Sequence, residues 1–286
     1  MTADNSAPAL PASLRRRVLA ASLRTRAAGY PDPPPAPIPP TEAFIRMVTA
    51  FDGMLRSLRE EDWKRPVLRD LDVQGLVGHL TGVAEDVHRC LAGDPGVATA
   101  SHVGSTQPAA ARQAGHPPVQ TRAEWRHAAD RTIDLVDAVG DLGVEVAVHG
   151  LRLPLGLLLV VLTFELWTHD NDIRRVAAMP PSEPDASTLR LMTDAVAGIL
   201  PHAAALAGLS EPTNVHLVLT GAGGGTWDIP VGEAPPSSTV TIVTDAIGFC
   251  RLVANRATPG MLELHVTGDM DRACEVLAVA RALALD

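Results

Sequence analysis

The chain has 286 residues, enough to bury a sizeable core, and two modest folded units are expected rather than one large one. Its 24 Lys plus Arg stand against 33 Asp plus Glu, and a net charge of −9 sets up a long-range field that repels nucleic acid, which is excluded as an expected partner. Aromatic residues are only 3% of the chain while Ala, Leu and Val carry the apolar content, a composition suited to closely packed helices.

The opening Met1 to Pro11 is small and polar, with no charged-then-apolar leader, and it runs into an Arg-rich amphipathic helix expected over residues 12–28. Arg15, Arg16, Arg17, Arg24 and Arg26 cluster there and read as a solvated helix face. Pro31 to Pro40, PDPPPAPIPP, is an extended strap, because each proline fixes its own φ and restricts the residue before it. Thr41 then caps a helix whose Phe44, Ile45, Val48, Phe51, Met54 and Leu55 recur at the three-and-four spacing of one buried face. A second helix is expected from about Asp72 to Leu91. Small residues, Gly and Pro dominate from Ala92 to Gln120, so this stretch reads as a long irregular segment able to fold over a site.

Helix resumes near Thr121, with Trp125, Ala128, Ala129, Ile133, Leu135, Val136 and Val139 on its apolar face and Gly140 as its stop. After a short Val-rich link, a long apolar helix runs from about Pro154 to Ala178, completing four principal helices. Its most apolar run, Leu153 to Phe164, contains Pro154 and falls short of the roughly 18 residues a membrane span needs. Another helix, about Ser187 to Gly208, leads into a different texture. Strands are expected at Asn214 to Thr220, Thr226 to Pro230, Thr239 to Val243 and Met261 to Val266, with helices at Asp245 to Ala254 and Asp269 to Leu285. GAGGG, residues 221–225, lacks the pattern of a phosphate cradle and reads as a turn. Cys90, Cys250 and Cys274 are far apart with no CxxC pair, which fits buried structural thiols in a reducing cytoplasm.

The chemistry concentrates in FELWTHDND, Phe164 to Asp172. Glu165 and His169 are four apart and Asp172 seven from the glutamate, so all three project from one helix face that also carries Val161, Leu162 and Val176. An ionised carboxylate and an imidazole in such a stripe need compensation, which a metal supplies directly and an ordinary i,i+4 hydrogen bond supplies more weakly. GLVGHLTGVAEDV places His79 on a second helix among Gly75, Gly78 and Gly82, glycines that let a neighbouring helix approach closely. Asp86 lies on the His79 face, where it is a candidate for orienting a ligand or contacting a substrate. His79, Glu165 and His169 together match the open ligand set of a catalytic divalent ion, zinc first, with iron, nickel or cobalt able to take its place. Asp172 reads as the partner of a ligand or as a helix-surface carboxylate, because a fourth protein ligand would block the chemistry.

GLVGHLTG at 75–82 and ELWTHDND at 165–172 resemble the mycothiol-dependent maleylpyruvate isomerase family, a branch of the DinB-like metal-binding four-helix bundles. The resemblance extends over nearly the whole chain. It implies an α+β fold, with an N-terminal helix and strap over 1–40, a DinB-like bundle over 41–210 and a small sterol-carrier-like α/β domain over 211–286. It also implies that His79, Glu165 and His169 are the metal ligands. The expected cosubstrate is mycothiol or a similar low-molecular-weight thiol, bound as thiolate beside a small electrophile and used for isomerisation or S-transfer. Two departures bear on substrate preference: the tryptophan often found shortly before the first motif is absent around Leu71 and Asp72, and Asn255 replaces a glycine before Arg256. Arg256, and less directly Arg174, Arg175 and Arg251, are candidate anchors for a substrate or thiol carboxylate. A soluble monomer or homodimer is expected. Two other readings stay open from sequence: a thiol-independent metalloenzyme such as a cyclase or hydrolase, and a non-catalytic ligand-binding regulator.

Overall fold

The computed structural model describes residues 32–209, 211–232 and 238–284. The helix expected over 12–28, with its arginine cluster, lies outside the described residues. Asp32 to Pro39 is the extended strap, and its Ala36 carbonyl accepts a 2.6 Å hydrogen bond from Ser187 Oγ.

Four long helices form the frame: α1 (Pro40–Ser57), α2 (Val73–Leu91), and, after two shorter helices, α5 (Pro118–Val139) and α6 (Leu155–Val176). Thr41 is not the cap of α1. Pro40 occupies the first turn and Pro39 the cap position, because a fixed φ and a missing N–H cost nothing there. Phe51 of α1 and Trp125 of α5 stack at 4.7 Å, both fully buried, each side chain contributing roughly 1.5–3 kcal/mol of apolar burial. Ile45, expected on the same buried face, is 36% exposed, and Val139 at the last turn of α5 is likewise exposed.

The stretch expected to be irregular contains α3 (Pro95–Thr99) and α4 (His102–Arg112). Asp94 and Ser101 supply the caps, their side chains accepting from the Gly96 and Gly104 amides. What draws α4 in is a notch in α2: a Cβ on Gly82 would sit 2.9 Å from Ala109 Cβ and 3.0 Å from Thr106 Cα, and one on Gly78 2.9 Å from Ala110 Cα. Gln74 fixes the exit of α4, its side-chain amide donating to the Gln113 and His116 carbonyls. Two antiparallel strands, β3 (Glu145–Val148) and β4 (Leu151–Pro154), replace the expected Val-rich link and form a hairpin with Val148 opposite Leu151. Its two turn residues, His149 (φ 50°) and Gly150 (φ 79°), both take the left-handed conformation such a tight turn demands. The hairpin feeds straight into α6, whose first amides, Leu155 and Gly156, donate to the Val144 and Leu142 carbonyls.

Helix α7 (Ala186–Leu206), capped by Asp185, links the bundle to a four-stranded sheet. After two short strands at the start of α2, β1 (Pro66–Leu68) and β2 (Leu71–Asp72), the sheet strands are β5 (Thr213–Thr220), β6 (Gly225–Val231), β7 (Ser238–Asp245) and β8 (His265–Thr267), in the order β6-β5-β7-β8. β5 pairs antiparallel with β6 and parallel with β7. The GAGGG turn packs on α7: Gly223 (φ 72°) leaves no room for a Cβ against Leu189, and its carbonyl accepts from Thr193 Oγ1. Helices α8 (Ala246–Val253) and α9 (Met270–Arg281) complete an α+β chain, helical first and sheet second. Among the described residues no helix is long and apolar enough to cross a membrane.

Candidate metal centre

Helix α6 presents Glu165, His169 and Asp172 along one face, as the four- and three-residue spacings require. Helix α2 presents His79 to the same space. His79 Nε2 lies 3.3 Å from Glu165 Oε1, and the His79 and His169 rings meet edge-on with centroids 5.6 Å apart. Helix α4 adds a residue that sequence reading did not select, His102, whose Nε2 is 3.1 Å from the same Glu165 oxygen. One ligand atom each from His79, His102 and Glu165 falls within 4.8 Å of the others; His169 stands beside this set.

Hydrogen bonds around the centre assign the imidazole tautomers. Thr106 Oγ1 lies 2.9 Å from the His102 carbonyl and 2.8 Å from His79 Nδ1, so a hydroxyl that donates to the carbonyl accepts from the ring. His169 Nδ1 donates to Asp172 Oδ2 at 3.1 Å. With the hydrogen on Nδ1, each ring has its Nε2 lone pair for a ligand. A lone pair of His79 facing a carboxylate oxygen at 3.3 Å repels it unless a cation stands between, and the donor set, imidazole nitrogens and one carboxylate, is that of divalent zinc and its neighbours. These residues fit a metal ion.

Burial pushes His79 below the ordinary imidazole value, more than the pull of Glu165 restores, which favours the neutral ring a metal requires. Burial would raise Glu165, but the neighbouring His102 and His79 outweigh it and hold the carboxyl well below its usual range. Asp172 behaves alike: burial opposes ionisation, His169 and Arg256 overcome it, and the carboxyl sits at about 2. Asp86, on the His79 face of α2, accepts from His149 Nε2 at 2.9 Å and from Arg89 at 3.1 Å. Burial again works against its ionisation, and His149, Ser105 and Arg89 keep its pKa low.

Of the candidate anchors, Arg256 reaches across from the sheet side of the molecule to Asp172, with Nη2 2.7 Å and Nε 2.9 Å from the two carboxylate oxygens. Arg174 is paired with Asp170 at 2.6 Å, and Arg175 donates to the Val67 carbonyl from an exposed position. The cysteines stand away from this cluster. Cys90 Sγ donates to the Ala147 carbonyl, and burial raises both its thiol and that of Cys250; Cys274, expected to be buried, is exposed. A small apolar cavity of about 20 Å³, lined by Phe44, Leu80, Trp125 and Leu162 among others, reaches Glu165 from the α1 and α5 side.

A helical bundle that buries a histidine and glutamate cluster between facing helices, followed by a small sheet domain, is the class that fold and site define. Residues 44–174 match the family model described as the mycothiol maleylpyruvate isomerase N-terminal domain, so this helical part is similar to that family. The crystal structure of the mycothiol-dependent maleylpyruvate isomerase is similar in fold, with a TM-score of 0.56 at 14% identity, covering 79% of this chain and 91% of that one. A crystal structure of a histidine-to-alanine mutant of the mycothiol-dependent maleylpyruvate isomerase gives a TM-score of 0.52 at 13% identity, over 76% and 88% of the two chains. No curated protein sequence matches the chain.

Proposed function

We propose that this chain is a metal-dependent enzyme that uses a low-molecular-weight thiol, mycothiol first, either to isomerise a small electrophilic substrate or to join to it through its sulfur as an S-transferase. His79, Glu165 and His169 are assigned as the ligands of one divalent ion, zinc first. The observation that carries the reading is His79 Nε2 facing Glu165 Oε1 across 3.3 Å inside the bundle, a pairing that a cation held by both would satisfy. The match of residues 44–174 to the mycothiol maleylpyruvate isomerase N-terminal domain supports the thiol, and the likeness to the crystal structure of the mycothiol-dependent maleylpyruvate isomerase supports isomerisation.

When bound, the metal would lower the pKa of the thiol and hold it as thiolate. The protein's own residues do the rest. Thr106 and Asp172 keep His79 and His169 protonated on Nδ1, so that both offer Nε2. Arg256 holds Asp172 in place and brings the positive charge that an anionic substrate would meet. Buried apolar side chains such as Leu80 and Leu162 keep bulk water from Glu165. Cys250 is buried with a raised pKa and is unsuited to act as nucleophile.

Incubation of metal-loaded protein with mycothiol and a conjugated cis-configured acid tests the reading, followed by chromatography for isomerised product or thiol adduct. Product that requires both thiol and metal supports it, and the form of the product distinguishes isomerase from transferase. Activity that survives complete removal of thiol would overturn the thiol assignment in favour of a thiol-independent metalloenzyme.

A further inference from the structure

We propose that His102 is a further nitrogen ligand of the same cation, and that His149 and Asp86 are positioning residues that present its Nε2. This rests on the metal reading above and adds an arm to it from α4 and the β3–β4 hairpin.

The argument runs outward to inward through protons. Asp86 is a buried carboxylate that only accepts, so the nitrogen 2.9 Å from it, His149 Nε2, carries a hydrogen. A His149 ring that carries this single hydrogen has its lone pair on Nδ1. That atom lies 3.1 Å from His102 Nδ1, so His102 carries its hydrogen there and donates it. His102 Nε2 is left with a lone pair, 3.1 Å from Glu165 Oε1, where His79 Nε2 presents a second lone pair at 3.3 Å. Two imidazole lone pairs and a carboxylate converge on one point, and a divalent cation satisfies all three. A carboxylate behind a histidine is the usual device for fixing the tautomer and raising the basicity of a metal ligand; here a second imidazole relays it.

The backbone supports the same assignment. His149 takes φ 50° in a two-residue turn where asparagine or glycine would sit with less strain. The turn is also clamped: the His149 and Gly150 amides donate to the Val97 and Ala98 carbonyls of α3 at 3.0 and 2.8 Å. A strained, clamped residue with a nearly buried ring is how a fold holds a side chain in one direction.

The turn supplies a clean variant, since His149→Asn removes the imidazole while creating an Asn-Gly turn that suits the hairpin. The experiment strips the full-length protein of metal and titrates Zn²⁺ and Co²⁺ against a chromogenic chelator, with the Co²⁺ visible spectrum and thermal melting recorded alongside. Wild type, His79→Ala, His102→Ala, His149→Asn and the double variant are compared. His102→Ala and His149→Asn are each expected to weaken metal binding by about 10- to 100-fold. The double variant should be no weaker than His102→Ala alone, because His149 acts through His102. The Co²⁺ spectrum of His102→Ala should shift. Unchanged affinity and spectrum in both single variants, with binding lost in His79→Ala, would overturn the inference and leave the metal reading standing. Failure of wild type to bind metal would remove both.

Discussion

Arg256 grips Asp172 through both its Nε and Nη2, and Asp172 in turn accepts from the ring of His169, so a residue of the sheet side of the molecule holds a candidate metal ligand of α6. The pair is nearly buried on the carboxylate side, 4% exposed against 22% for the arginine, which makes solvent a poor substitute for either partner.

Replacing Arg256 therefore changes acid stability in a defined direction. The Asp172 carboxyl sits at about 2, below its unfolded value, so its stabilising contribution is complete above the ordinary carboxylate range and is lost as pH falls toward 2. Arg256→Gln lets that pKa rise and should cost roughly 2–4 kcal/mol near neutral pH, somewhat less than a fully orphaned charge because His169 remains. Acid unfolding followed by circular dichroism should shift to higher pH in the variant. Coincident acid-unfolding curves would show that the pair contributes nothing.

The close approach of α4 to α2 depends on the absence of two Cβ atoms. Gly82→Ala places a methyl against Ala109 and Thr106, and overpacking should cost about 1–3 kcal/mol while moving Thr106 away from His79. Gly53, in α1 with open space around it, is the control, and Gly53→Ala should stabilise by about 0.5–1 kcal/mol. Urea unfolding of the two variants reads opposite signs. A neutral or stabilising Gly82→Ala would mean that the α2–α4 contact is loose.

Metal removal should lower the melting temperature. An ion that binds the folded chain alone adds about 2.7 kcal/mol when present at 100 times its dissociation constant. The gain should vanish in His79→Ala and in Glu165→Gln. A shift of equal size in those variants would place the binding elsewhere on the molecule.

The three thiols should differ sharply in reactivity. Cys274 is exposed and should label quickly with a maleimide; Cys90, half-buried and bonded to the Ala147 carbonyl, should label slowly; Cys250 should label only on unfolding. Cys274→Ser should retain full thiol-dependent turnover. Loss of turnover in that variant would reopen the question of a protein nucleophile.

Much of this centre is legible along the chain because helical periodicity writes it locally. Glu165, His169 and Asp172 declare a shared face by spacing alone, and Gly78 and Gly82 announce a close neighbour of α2 without saying which helix it is. His102 and His149 leave no such trace. In the α4 segment Gly104 and the internal Pro108 speak against helix beside the run Ala109 to Ala111, and packing into the glycine notch decides for it. The His149–Gly150 turn is a weak hairpin signal beside Asn-Gly, and its ring meets His102 only after α3 and the hairpin have been brought together. In the sheet domain, β5 through β7 follow their β-branched runs closely, whereas the last strand shrinks to His265–Thr267 because Pro259 and Gly260 start a 3-10 turn.

The central claim, one divalent ion on His79, Glu165 and His169, is tested most directly by elemental analysis of the purified full-length protein beside its His79→Ala variant. About one ion per chain in the wild type, and a large loss in the variant with the fold intact by circular dichroism, is the predicted result. A wild type without stoichiometric metal after reconstitution, or a variant that retains its full complement, would contradict the account.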